Sequence, residues 1–199
     1  MTYELISALA AFAFVSSITP GPNNLMLLSS GANFGFQRTI PHMLGVGLGF
    51  VFMLILVGIG LFQVFETYPM SKEVLKIISI IYLTYLAYKI STAAAPLNQT
   101  EHAPSPLTFM QAAMFQWVNP KAWTMALTAI SVYSPDRNLH SIAIIALIFG
   151  LVNLPSVSFW TVIGQRLQRW LTNHQRLRIF NYTMAGMLMC SLYPVLSFG

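Results

Sequence analysis

Thr19-Pro20-Gly21-Pro22-Asn23-Asn24 decides how this chain is read, because it interrupts an apolar run with no Asp, Glu, Lys or Arg from Leu5 to Gln37. About 20 apolar residues suffice to cross a bilayer at 1.5 Å per residue, so the run is long enough to span one. Two prolines, a glycine and two asparagines are poor helix residues, and they fall at its centre. In hydrocarbon an interrupted backbone leaves N–H and C=O groups that cost several kcal/mol each unless protein or a wet cavity satisfies them. An interruption kept at that cost is predicted to line a transport site.

Composition agrees with a membrane setting. Hydrophobic residues make up 56% of the 199, charged residues 8%, and the mean hydropathy is +0.65; a soluble domain carries about 25% charged residues. One compact transmembrane domain over 1–199 is expected. The net charge of +5 does not point to nucleic acid, because the basic residues sit at the edges of apolar segments, where orientation signals belong. Cys190 is the single cysteine, which excludes an internal disulfide, a CxxC pair and a cysteine zinc cluster. It is expected to pack as a small apolar residue. Leu5–Val15 follows Glu4 and no basic residue, the opposite of a signal peptide's charged start, so it is expected to remain as the first half of a membrane helix.

Six apolar segments follow from the chain in order: about 3–32 (interrupted at 19–24), 41–65, 74–92, 107–133, 140–164, and 179 to the end. Gly45, Gly49 and Gly60 share one face by spacing, and Gly45-x-x-x-Gly49 lets another backbone come close, within the protomer or from a second copy in a homo-oligomer. Gly47 and Gly58 lie off that stripe. Lys76 and Lys89 can snorkel to the two interfaces, and Tyr82, Tyr85 and Tyr88 suit an aromatic belt or a cavity wall. The linker, about 93–106, holds three prolines, Asn98, Glu101 and His102 and splits the chain nearly in half.

Each half opens with a long apolar helix broken by proline, at Pro20 and at Pro120. With three segments per half the halves should run oppositely. Two inverted three-helix repeats, about 1–92 and 107–199, are therefore expected, with the substrate at their interface. The loops after segments one, three and five hold Arg38, Lys89, Arg166, Arg169, Arg176 and Arg178; the other side holds Lys72, Lys76 and Arg137. Positive residues stay inside, which places both termini on the periplasmic or extracellular side.

Pro22 suits the first turn of a restarting helix, where a missing N–H does no harm. Asn119-Pro120 has the same form, with Asn as N-cap. Two such helix starts facing each other would hold an anion such as a carboxylate, and Asn23, Asn24 and Asn119 add donors and acceptors suited to a zwitterion. Alternatively, both are proline kinks repaired by neighbouring helices. Lys121 is the one charge well inside an apolar segment. A charge there costs at least about 2.5 kcal/mol, which makes it a site candidate, as a carboxylate ligand or a proton carrier, unless it snorkels. No Asp or Glu lies mid-membrane, which disfavours metal and sodium carriage, and no metal site is expected. His42, His102, His140 and His174 are spread over segment boundaries without metal-ligand spacing and are expected at the interface; His42 is the second proton-coupling candidate. Asn153-Leu154-Pro155-Ser156 is either a further pathway element or a structural kink.

Ser17-Ile18-Thr19-Pro20-Gly21-Pro22-Asn23-Asn24, Gly35-Phe36, Gly45-Val46-Gly47-Leu48-Gly49 and Asn119-Pro120-Lys121-Ala122-Trp123 together resemble the LysE/RhtB superfamily of amino-acid exporters. The resemblance covers nearly the whole chain. It implies export of amino acids or their derivatives across the bacterial inner membrane, driven by proton antiport. Asn23-Asn24 is similar to the cysteine/O-acetylserine and neutral amino-acid exporters, which suggests cysteine, O-acetylserine, homoserine or threonine. The expected partners are that solute, protons and lipid, with no cofactor and no enzymatic chemistry.

Two other classes compete. A six-helix thiol–disulfide electron carrier is disfavoured because one cysteine cannot cycle a disulfide. A non-transporting membrane scaffold has no need for matched polar breaks.

Overall fold

The computed structural model of the chain describes residues 1–61, 63, 67, 68, 70–93 and 105–193. Among them every regular element is helical, as the sequence predicts. The helices are α1 (Tyr3–Ile18), α2 (Pro22–Phe34), α3 (Phe36–Leu56), α4 (Met70–Ser91), α5 (Phe109–Phe115), α6 (Pro120–Tyr133), α7 (Leu139–Gln168) and α8 (His174–Cys190). A π turn follows α3 at Val57–Leu61, and a 3-10 turn, Gln116–Val118, links α5 to the second break. Most of the linker expected at 93–106, with His102, and the turn residues Glu66 and Pro69 lie outside the described residues.

Three helical stretches are long and apolar enough to cross a bilayer: Phe36–Leu61 at mean hydropathy 2.6, Glu73–Ser91 at 1.4 and Leu139–Gln168 at 2.2. α1 and α2 qualify together as a fourth, bent by 53° at their break. α8 has 17 residues, and α5 and α6 are parted at Asn119. Three to four spans among the described residues thus stand where the sequence predicts six segments.

Side chains explain where the helices begin. Thr2, Thr108, Asn138 and Asn173 each accept a hydrogen bond from the first turn they precede, and Thr108 forms a reciprocal capping box with Gln111. Such caps satisfy N–H groups that have no partner inside the helix. Asn173 therefore starts α8 at His174, five residues before the predicted start at Ile179. The mild break predicted at Asn153-Leu154-Pro155 is absent, and α7 runs unbroken for 30 residues. A membrane helix tolerates an internal proline when its neighbours absorb the one lost hydrogen bond.

Glycine sets the tightest crossings. A Cβ on Gly45 would meet Phe109 O and lie 2.7 Å from Ala112 Cβ; one on Gly49 would lie 2.6 Å from Ala113 Cα. The Gly45-x-x-x-Gly49 face therefore seats α5 against α3 within the protomer. Gly60 does not share that face, because it sits in the π turn at φ +120°. A Cβ on Gly31 would strike the Thr161 carbonyl and one on Gly164 the Leu28 carbonyl, so α2 and α7 meet backbone to backbone. Two buried clusters flank this crossing. One gathers Phe50, Met53, Ile130, Ile145 and Phe149; the other gathers Leu27, Val46, Leu86, Phe115 and Leu188.

Polar contacts tie the helix ends. Asn33 near the end of α2 exchanges amide hydrogen bonds with Asn181 of α8 at 2.9 and 3.2 Å, and Asn181 also donates to Ala93 O just past α4. Gly31 of α2 lies against Gln165 near the end of α7. The ends of α2, α4 and α7 and the first half of α8 therefore meet at one end of the molecule. The other end holds the close of α3, where Gly58 contacts Ile130 of α6 and Ile142 of α7.

Candidate functional site

The chain straightens before the prolines at both breaks because proline clashes with a helical preceding residue. Thr19 has ψ 144°, Gly21 is fully extended at φ −177° and ψ 178°, and Asn119 has φ −89° and ψ 109°. Pro22 and Pro120 then open α2 and α6 at the first helical position, as predicted. Asn119 caps α6 by accepting from Lys121 N at 3.1 Å, and Trp123 Nε1 donates to Trp117 O at 2.7 Å.

The larger problem is the end of α1, whose last carbonyls have no helical donors. Side chains from three elements supply them. Ser17 O accepts from Asn24 Nδ2 at 2.8 Å and Ser156 Oγ at 2.8 Å; Ile18 O accepts from Trp160 Nε1 at 3.0 Å; Thr19 O accepts from Asn24 Nδ2 at 2.7 Å and Lys121 Nζ at 2.7 Å. Lys121 Nζ also donates to Thr19 Oγ1 at 2.9 Å and Pro20 O at 3.4 Å. An ammonium on helix C-terminal carbonyls meets the negative end of the dipole. Lys121 therefore reaches across from the second break to close the first.

A second bridge joins the breaks. Asn23 Nδ2 donates to Gln116 Oε1 at 2.8 Å, and Gln116 Nε2 donates back to Asn23 Oδ1 at 3.1 Å and to Ala112 O at 2.9 Å. Gln116 is fully buried, where an unpaired amide would cost about 1–3 kcal/mol.

Gly21, Asn23, Asn24, Asn119, Lys121 and Asn153 line one cleft between the breaks. Thr19 and Pro20 join it through Lys121, whereas Pro22 and Pro120 shape it as helix starts. Ser17 also lines it, and its buried hydroxyl has no hydrogen-bond partner among the described residues. The free volume at the centre is about 30 Å³, room for a water or two. Gly21 matters sterically: a Cβ there would lie 2.7 Å from Lys121 Cδ and 3.2 Å from Nζ.

His42 is not part of this cleft. It lies deep in the core, 2% exposed, beside a separate cavity, which corrects the interfacial position predicted for it. Its place on α3, one turn before Val46 against the packed α2 face, takes it out of solvent. His140 and His174 are exposed. Cys190 is exposed at the end of α8 rather than packed. Among the described residues no group of three or more His, Cys, Asp and Glu could hold a metal. Of the tyrosines, Tyr85 and Tyr88 are exposed, while Tyr82 packs on Phe115 at 5.8 Å.

Gln116 and Trp160 were not singled out by sequence reasoning, and Ser17 and Ser156 entered it only within longer motifs. For Gln116 a signal existed: it is an amide within an otherwise apolar stretch, three residues before Asn119. Ser156 and Trp160 share one face of α7 at i, i+4 spacing, but the carbonyls they serve are far away in sequence.

Long apolar helices, two polar breaks and a cleft sealed by a lysine define a multi-pass membrane protein of the translocator class. Residues 14–192 match the LysE type translocator family, and the chain belongs to it. It is 29% identical over 179 residues to the cysteine/O-acetylserine efflux proteins of Salmonella typhi and Salmonella choleraesuis (strain SC-B67), covering 88% of this chain and 90% of each relative. The cysteine/O-acetylserine efflux protein of Escherichia coli (strain K12) is 27% identical with the same coverage. No solved structure matches. Membership of a translocator family makes the chain a transporter rather than an enzyme.

Proposed function

We propose that the chain exports small neutral amino acids or their derivatives, with cysteine, O-acetylserine, homoserine and threonine as the first to test. The observation that carries this is the Lys121 ammonium seated on the Thr19 and Pro20 carbonyls across two broken helices. An amino acid brings an ammonium and a carboxylate. Its ammonium takes the α1 carbonyls that Lys121 now occupies, and its carboxylate meets the freed Lys121 and the N–H groups opening α2 and α6. Asn153 and the unpaired Ser17 hydroxyl lie in reach of the solute. The printed names of the relatives support the substrate class, and the absence of a carboxylate lining the cleft speaks against a basic side chain.

In this reading the transporter works in the bacterial inner membrane as two inverted halves, about 1–92 and 107–199, rocking around the breaks, with proton antiport as the drive, Lys121 as the first coupling candidate and His42 as the second. The helix ends gathered by Asn33, Asn181 and Gly31 carry Arg38, Lys89, Arg166, Arg169, Arg176 and Arg178. This supports a cytoplasmic position for that end and an outer position for both termini.

Lys121→Met should abolish export from cells loaded with O-acetylserine while the protein still inserts in the membrane. Wild-type efflux by this variant would refute the site.

A further inference from the structure

A second cavity lies along the same pair of helices. Ser29 and Ser30 of α2, His42 of α3 and Lys89 of α4 line it, with Phe34 and Leu86 among its apolar walls. His42 is 2% exposed, and neither ring nitrogen has a hydrogen-bond partner among the described residues. A buried imidazole without partners is costly and calls for an explanation. Ser30 is spoken for by Thr39 at 2.9 Å. Ser29 accepts a weak bond from Asn33 at 3.4 Å, which leaves its own proton to donate. The Lys89 carbonyl accepts from Thr92 Oγ1 at 3.3 Å, while its ammonium has no hydrogen bond or ion pair among the described residues. His42 and Lys89 are the titratable groups among the described residues that line the cavity.

The donors match one ligand chemistry. An ammonium, a hydroxyl proton and an imidazole N–H converge with no acid among them, which suits a carboxylate. Mostly apolar walls with a few convergent polar groups are typical of small-molecule sites. The position is informative too. His42 lines this cavity while Val46, four residues on, lines the cleft between the breaks, so the two chambers share one face of α3 and meet residues about 6 Å apart along its axis. On α2, Met26 faces this cavity and Asn23 the cleft. Met26 and Val46 belong to one buried cluster and stand between the chambers.

We infer that the Ser29–His42–Lys89 cavity is a second binding station for the carboxylate of the exported solute, one helical turn from the Lys121 cleft on the basic side. This rests on the exporter reading above. A solute leaving the cytoplasm meets Lys89 first, waits with its carboxylate on Ser29 and His42, and moves one turn along α3 when Met26 and Val46 part.

Equilibrium dialysis of the purified protein against radiolabelled O-acetylserine tests it. Wild type should hold two molecules per chain. Lys121→Met should hold one, and Lys89→Gln or His42→Phe should lose the other, with affinity for it falling at least about tenfold. Lys89→Gln decides alone if the buried His42→Phe variant does not fold. A single molecule abolished by Lys121→Met, or a second one untouched by Lys89→Gln, overturns the second station while leaving export intact. No binding together with no efflux in loaded cells overturns both readings.

Discussion

Gly49→Ala puts a methyl group where α3 and α5 touch. The added Cβ would lie 2.6 Å from Ala113 Cα, 3.0 Å from its Cβ and 3.1 Å from its carbonyl oxygen. Carbon atoms rest at about 3.5–4.0 Å, so α5 must back away by roughly 1 Å. All three contacted atoms are backbone or Cβ, and no rotamer change relieves them. Overpacking of this kind costs about 1–3 kcal/mol. Gln116 follows α5 directly, and a shift of roughly 1 Å takes its bonds to Asn23, now 2.8 and 3.1 Å, past hydrogen-bonding length. Leaving those buried amides short of a partner adds about 1–3 kcal/mol, while replacing a helical glycine returns up to about 1. The net loss is about 1–5 kcal/mol. Thermal unfolding followed by tryptophan fluorescence in detergent measures it, with Gly47→Ala as the comparison. Gly47 lies two residues away on the same helix, but its nearest neighbour is Leu154 Cδ2 at 3.6 Å, so alanine there should be neutral or stabilise slightly. Equal midpoints for the two variants, or a Gly47→Ala loss as large as that of Gly49→Ala, would refute the account.

Two further substitutions probe the bridges between the breaks. Gln116→Leu should destabilise by about 1–3 kcal/mol because the Asn23 amide is stranded, and Asn23→Leu added to it should restore part of that; a double-mutant cycle of unfolding midpoints checks the coupling. Gly21→Ala should leave stability within about 1 kcal/mol, since only the flexible end of Lys121 must move, yet export of O-acetylserine should fall as the ammonium leaves the Thr19 and Pro20 carbonyls. Efflux from loaded cells, measured beside the melting curve, separates those two effects.

The prolines show what was legible in the chain and what was not. Five of them sit in or beside described helices at the sites discussed here, and the residue in front decides their effect. Thr19, Gly21 and Asn119 precede Pro20, Pro22 and Pro120; a small or capping residue takes the extended conformation readily, and the helix breaks. Ile40 and Leu154 precede Pro41 and Pro155, and α3 and α7 continue through both. Neither aliphatic side chain offers a cap, so the packed apolar helix absorbs the missing donor instead. Local chemistry therefore exposes the two strong breaks and their restarting helices. What satisfies them is not local: Asn23 finds Gln116 across 93 residues, Ser156 finds Ser17 across 139, and Trp160 finds Ile18 across 142. Likewise His42 looks like a boundary residue in the sequence, and only the packing of α2, α3 and α4 reveals a buried ring beside a cavity.

Lys121 gives the empty carrier its own occupant. With its ammonium on the Thr19 and Pro20 carbonyls, the unloaded cleft carries the same positive group that an amino acid would bring. Most of its polar surface is therefore satisfied by the protein itself, the buried Ser17 hydroxyl apart. On the proposed export cycle, a carrier provisioned in this way would swing back unloaded, which would favour net efflux over one-for-one exchange.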